Sequence, residues 1–185
     1  MISRILLTLV ISLLAGSTFI AHAAPQRDHL TQQEVDLVKE AQILDKRIDV
    51  FVRAAERRLM VINGSASAST NAKQLKKESE RWGELPTGSR AELVADIAKI
   101  LDEAITNIDD VVTRDERNPL VAKALRKLAS ATTSIMGQLK PLATEAKSDA
   151  EIASFELLNE DAQSILEAAN KLPPEVVDKK AKKNN

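Results

Sequence analysis

Three copies of one helix-start signal divide this chain, and they constrain its fold more than any other feature. Thr31-Gln32-Gln33-Glu34, Ser89-Arg90-Ala91-Glu92 and Ser148-Asp149-Ala150-Glu151 each place a hydroxyl three residues before a glutamate. In such a capping box the hydroxyl accepts from the third helical amide while the glutamate accepts from the cap amide. Each box stands before an apolar stripe at helical spacing. Leu30 and Val35 flank the first box as a hydrophobic staple. Behind it run Leu37, Ala41, Leu44, Ile48, Phe51, Ala55 and Ile62. That stripe predicts one helix from Thr31 to about Ile62, roughly 45 Å long.

The second box leads Val94, Ile97, Leu101, Ala104, Ile108 and Val111, with Leu93, Ile100, Ile105 and Val112 widening the seam to about Asp115. Asn118-Pro119 starts a third helix, Asn as cap and Pro where its missing N–H costs nothing. Its stripe is Val121, Leu125, Leu128, Thr132, Ile135 and Leu139, and Pro141 is expected to kink or end it. The third box leads Phe155, Leu158, Ala162, Ile165, Ala169 and Leu172, stopped by Pro173-Pro174. Between the first two helices, 63–88 reads as an irregular connection. It holds a Ser- and Ala-rich linker, a charged stretch Lys73–Arg81 able to form a short surface helix, and a loop with the only Trp. The expectation is an all-α domain over 24–174: a four-helix bundle, antiparallel and up-down-up-down, with a long loop between helices 1 and 2. With only 2% aromatic residues its core must be aliphatic.

The N-terminus reads as an export signal. Met1–Arg4 is basic, Ile5–Leu14 is apolar but for Thr8 and Ser12, and Ala21-His22-Ala23 matches a signal-peptidase site. A signal peptide over 1–23 is therefore expected. The competing reading is an uncleaved anchor, because no charge lies between Arg4 and Arg27. No second long apolar run occurs, so no transmembrane span is expected after cleavage, and the chain is expected in the periplasm or outside the cell. Removal of Arg4 leaves 26 − 1 = 25 basic against 27 acidic residues, a charge of −2. That is not the basic footprint of a nucleic-acid binder. The tail 175–185, with Lys179, Lys180, Lys182 and Lys183, is expected to be disordered.

Little in the chain offers chemistry. There is no Cys, which excludes disulfides and Cys-based metal or nucleophile sites. His29 is the only His after the signal and reads as a solvated side chain in the lead-in; Met60 and Met136 read as core filler. No cofactor, metal or catalytic residue is therefore expected. Asp96, Asp102, Glu103, Asp109, Asp110 and Glu116 fall on outward positions of the second helix, a solvated acidic ribbon or a weak cation or basic-partner surface. Arg53 and Arg57 fall on the outer face of the first helix, whereas Arg58 interrupts its seam and Asp45 flanks it. An ion pair with a neighbouring helix is expected for those last two. Ser130, Thr132, Thr133 and Ser134 are expected to bond back to their own helix or, alternatively, to line a polar pocket. Asn63-Gly64-Ser65 matches a glycosylation acceptor, of consequence only in a eukaryotic host, and otherwise reads as a turn.

Trp82, Leu85 and Pro86 form either a satellite core or an anchor for a protein partner. The leading expectation is an exported, non-enzymatic interaction or envelope-associated module that contacts its partner there. The second is a binding protein for a small apolar ligand or unfolded client, held near Thr132 and Met136. The third, an enzyme working with carboxylates alone, lacks two acids facing one cleft.

Overall fold

The computed structural model describes residues 28–65 and 72–174. The expected signal peptide, part of the linker and the lysine-rich tail lie outside the described residues. Six helices and no strand are found among the described residues: α1 (Gln32–Glu40), α2 (Leu44–Ile62), α3 (Ala72–Trp82), α4 (Arg90–Arg114), α5 (Pro119–Glu145) and α6 (Asp149–Asn170). The protein is all-helical.

The first two boxes close on both sides. Thr31 Oγ1 and Ser89 Oγ accept from the N3 amides, and Glu34 and Glu92 accept from the cap amides. The third closes on one side only. Ser148 accepts from Glu151 N, but the Glu151 carboxylate turns to Lys147 N and to Arg90 on α4, whose Nε lies 2.8 Å away. Asn118 caps α5 with Pro119 at its first position. α5 does not end at Pro141 but runs on to Glu145. Gly137, whose carbonyl the proline ring must avoid, has open space where a Cβ would stand, so the backbone there can tilt. Within the stretch expected to be irregular, α3 covers the whole of the charged segment Lys73–Arg81, which the sequence allows as a short helix.

The first stripe does not make a single helix. Ala41 leaves helical geometry with ψ near 80°, and Ile43 enters α2 with ψ near 129°. Side chains secure the break: Arg47 Nε donates to Ala41 O, and Gln42 Nε2 to Lys39 O. The consequence is large. In one unbroken helix Glu34 and Arg57 would stand about 35 Å apart, yet here their side chains lie 2.9 Å apart. The break folds α1 back along α2.

α2 packs against α1, α4 and α5; α4 packs also against α5 and α6; α5 packs against α6; α3 touches α1. Ile48 and Phe51 of α2, Ile97 and Leu101 of α4, Leu128 and Ile135 of α5, and Leu158 and Ile165 of α6 are all buried in one core. Each contributes about 1.5–3 kcal/mol through lost contact with water.

Two carboxylates on this scaffold make stability depend on pH in opposite directions. Asp45, at the start of α2, is buried with Lys127 Nζ 2.7 Å and Lys123 Nζ 3.1 Å away on α5. The Lys127 hydrogen bond holds its pKa below the ordinary 3.8 against the effect of burial. Its contribution is present above pH 3.8 and lost as pH falls through the lower folded value. Asp161 on α6 behaves oppositely. Burial, with Asp102 of α4 and Glu160 nearby, pushes its pKa up to about 6. Between 6 and 3.8 the folded state binds more protons than the unfolded chain, so stability rises as pH falls through that window. Asp161→Asn is therefore expected to stabilise the protein by about 1 kcal/mol at pH 8, solvent screening taken into account, and to change little at pH 4. Urea denaturation at the two pH values measures this; equal effects at both would contradict it.

Candidate functional site

The densest polar construction lies at the end of the molecule where α1, the C-terminal half of α2 and the loop after α3 meet. Glu34, Arg57 and Arg58 are each no more than 1% exposed there, and Asp96 of α4 is 5% exposed. Glu34 Oε1 accepts from Arg57 Nη1 at 2.9 Å and from Arg58 Nη1 at 2.6 Å. Its other oxygen accepts from Thr31 N, so one side chain serves both the cap and the ion pairs. Arg58 also donates to Ala54 O and to His29 O, and its Nε lies 3.9 Å from Asp96 Oδ2. Two cations and two anions balance, which buried charges require.

Arg57 reaches the loop. Nη1 donates to Trp82 O at 2.8 Å, and Nη2 donates to Gly83 O at 3.0 Å and to Glu84 O at 2.5 Å. Its Cζ also lies 5.7 Å from the centre of the Trp82 ring, a cation–π distance. Burial lowers the Arg57 pKa, the Glu34 charge raises it and the Arg58 charge lowers it again; a guanidinium stays charged regardless. Five donors in a fixed fork suit this task, since one side chain fixes three consecutive carbonyls. Lys could not replace it.

Gly83 has φ near +68°, a conformation that glycine adopts freely. A Cβ there would also stand 2.8 Å from Gln33 Cδ on α1. Gly83→Ala is expected to cost about 1–2 kcal/mol, most of it from the left-handed backbone, since the Gln33 tip can swing aside. Thermal unfolding measures the loss. An unchanged transition would mean that the loop does not hold this shape.

Of the three residues expected at a contact site, Trp82 and Leu85 are half-buried and Pro86 is buried. Pro86 thus seats the loop, and Trp82 and Leu85 are left at the surface. A cleft of about 320 Å³ lies beside Leu85, lined also by Arg53, Arg57, Met60, Lys76 and Glu78 among others, and does not include Trp82. Arg53 is paired there with Glu78 and Glu56. A second, more polar cleft of about 750 Å³ on the other side of the loop includes Leu30, Thr31, Arg58, Leu85 and Pro86.

Several expectations need correction. Arg57 is not on an outer face, because the fold-back of α1 and the α3 loop cover it. Asp96 is not part of a solvated ribbon; it is buried, although Asp102, Asp109, Asp110 and Glu116 are exposed. His29 is not loose in solvent: its Nε2 lies 2.8 Å from Glu103 Oε2. Arg58 forms a buried ion pair with Glu34 of α1, and the buried Asp45 pairs with the more exposed Lys123 and Lys127 of α5, as their seam positions suggested. Thr132 is fully buried but its hydroxyl has no partner, while Thr133 bonds back to Ala129 O. An apolar cleft of about 380 Å³ lies between α5 and α6, bordered by Met136, Gly137, Leu139, Phe155 and Leu158; Thr132 does not line it.

Among the described residues no helix is long and apolar enough to cross a membrane, and no group of three His, Asp or Glu could hold a metal. In comparisons with known proteins no family model matches the chain, and no curated protein or solved structure is significantly similar to it.

Proposed function

We propose that this protein is an exported, non-enzymatic helical module that engages a protein partner through the segment Trp82–Leu85. The observation that carries the reading is the Arg57 clamp on the carbonyls of Trp82, Gly83 and Glu84. A loop fixed before contact loses little conformational freedom on binding, which favours affinity. It presents a half-buried Trp, the kind of anchor that dominates protein interfaces, and an apolar cleft beside Leu85. Export rests on the basic start, apolar run and Ala-x-Ala site of the first 23 residues.

The scaffold behind it is an up-down-up-down bundle of α2, α4, α5 and α6. Cross-helix pairs support this. Arg47 meets Asn107, and Arg58 approaches Asp96, so α2 and α4 run oppositely. Lys127 meets Asp45, and Gln138 meets Asn63, so α2 and α5 run alike. Arg126 of α5 donates to Pro173 O beyond α6, so those two run oppositely.

A photo-crosslinking residue at position 85, in the protein expressed in its own host, tests the contact. A single adduct of defined mass from position 85, and none from position 156 on α6, is the expected result. Equal labelling at both positions, or none at either, would overturn the reading. A second reading, an apolar ligand held along α5 and α6, rests on the cleft at Met136 and Phe155. Native mass spectrometry of the protein from its host would reveal the added mass.

A further inference from the structure

We infer that the N-terminal arm, Asp28 to Glu40, is a strap that sets the shape of the Trp82–Leu85 segment, so that the two dock and release together. The reason is that one carboxylate serves both. Glu34 belongs to the strap, and its Oε1 binds Arg57 and Arg58 at once. Arg57 holds the loop and Arg58 holds the strap's own His29 carbonyl. Strap and loop also touch directly, with Gln33 lying over Gly83 where no Cβ intervenes.

Removing the strap would strand two adjacent guanidiniums with one fewer anion. Neither could stay buried against the other, since like charges in a dry site repel and each lacks compensation. Arg57 would turn outward to water, and the three loop carbonyls would lose their donor. The reverse holds too: a partner that binds the clamped loop favours the docked strap, because coupling between sites is reciprocal. The strap's other holds are few. Leu30 and Leu37 are buried, Val35 and Val38 pack partly on the core, and His29 pairs with Glu103. An element with so few attachments is the kind that opens without global unfolding. This inference stands whether or not the partner reading is right.

Trp82 is the only Trp and there is no Tyr, so intrinsic fluorescence reports the loop alone. The decisive variant is Val35→Gly/Val38→Gly. It melts α1 by removing packing and helix propensity, yet touches none of Glu34, Arg57 or Arg58. With the bundle intact by circular dichroism, loss of amide protection across 35–41 should come with at least about a twofold rise in acrylamide quenching of Trp82. Glu34→Gln should give the same rise through the cluster itself. In the unsubstituted protein, the amides of α1 and the Gly83 amide bonded to Ser79 O should open with the same free energy. The result that overturns the proposal is quenching of Trp82 left unchanged in the double glycine variant while residues 35–41 exchange freely. Protection of 35–41 retained in that variant would overturn it as well, since the strap would then not be a separable element.

Discussion

Arg58→Met is expected to cost about 3–5 kcal/mol, because it breaks a buried ion network by removing one partner. Methionine supplies a similar apolar stem, so little packing is lost. What remains is electrostatic. Asp96, 5% exposed, would face a thioether where a guanidinium had stood 3.9 Å away. Glu34 would keep Arg57 and the Thr31 amide but lose its shorter contact. His29 O would lose its donor. The double variant Arg58→Met/Asp96→Asn should cost less than the single one, since taking out one charge of each sign keeps the buried cluster balanced. Urea unfolding of the three proteins measures this. A single variant within about 1 kcal/mol of the parent would show that the network does not contribute as its geometry requires.

That network also marks where the sequence stopped being legible. The cap chemistry is local, and it located the starts of α1, α4, α5 and α6 because a box or an Asn-Pro step needs only four residues to recognise. Arg58 and Asp45 could be read as ion-pair residues because they interrupt or flank an apolar seam. Arg57 could not. It sits one position away, on what would be the outer face of a straight helix, and it is buried because the chain reverses at Ala41–Ile43 and the loop after α3 folds over it. Nothing in Ala41-Gln42-Ile43 is a strong breaker, with neither Gly nor Pro present. The apolar period runs straight through it, because Leu37 and Leu44 each face the core from their own helix. Periodicity counts which residues are buried; it does not report whether the helix that carries them continues. Glu34 reads from the sequence as a capping residue only, for the same reason, whereas its second oxygen carries the ion pairs. Trp82, Leu85 and Pro86 were legible as a group because Trp and Pro are rare here, yet their division of labour was not. Pro86 goes inward and Leu85 stays at the surface, a matter of loop geometry set by an arginine 29 positions earlier in the chain.

Leu128→Ala is expected to cost about 2–5 kcal/mol, comparable to Arg58→Met, and the comparison separates stability from site geometry. Leu128 is fully buried at the middle of α5, in a core made almost wholly of aliphatic side chains. Truncation removes three carbons and leaves a space that rigid neighbours fill only in part. Among the described residues α5 does not pack against α1 or α3, so Leu128 lies away from the clamp on Trp82. At temperatures well below the transition, Trp82 emission should therefore match the parent in Leu128→Ala and shift to the red in Arg58→Met, where the strap loses the Arg58 bonds to Glu34 and His29 O and releases the loop with it. Two variants of similar cost would then differ in the one signal that reads the Trp82–Leu85 segment. A red shift in both would mean that general loosening of the bundle, rather than the Glu34–Arg57–Arg58 network, governs the loop. Emission unchanged in both would mean that Arg57 holds the loop without help from the strap. Only the split outcome fits a Trp82–Leu85 segment whose shape is set by a buried charge network at one end of the molecule, in a protein whose stability is set by an aliphatic core along its length.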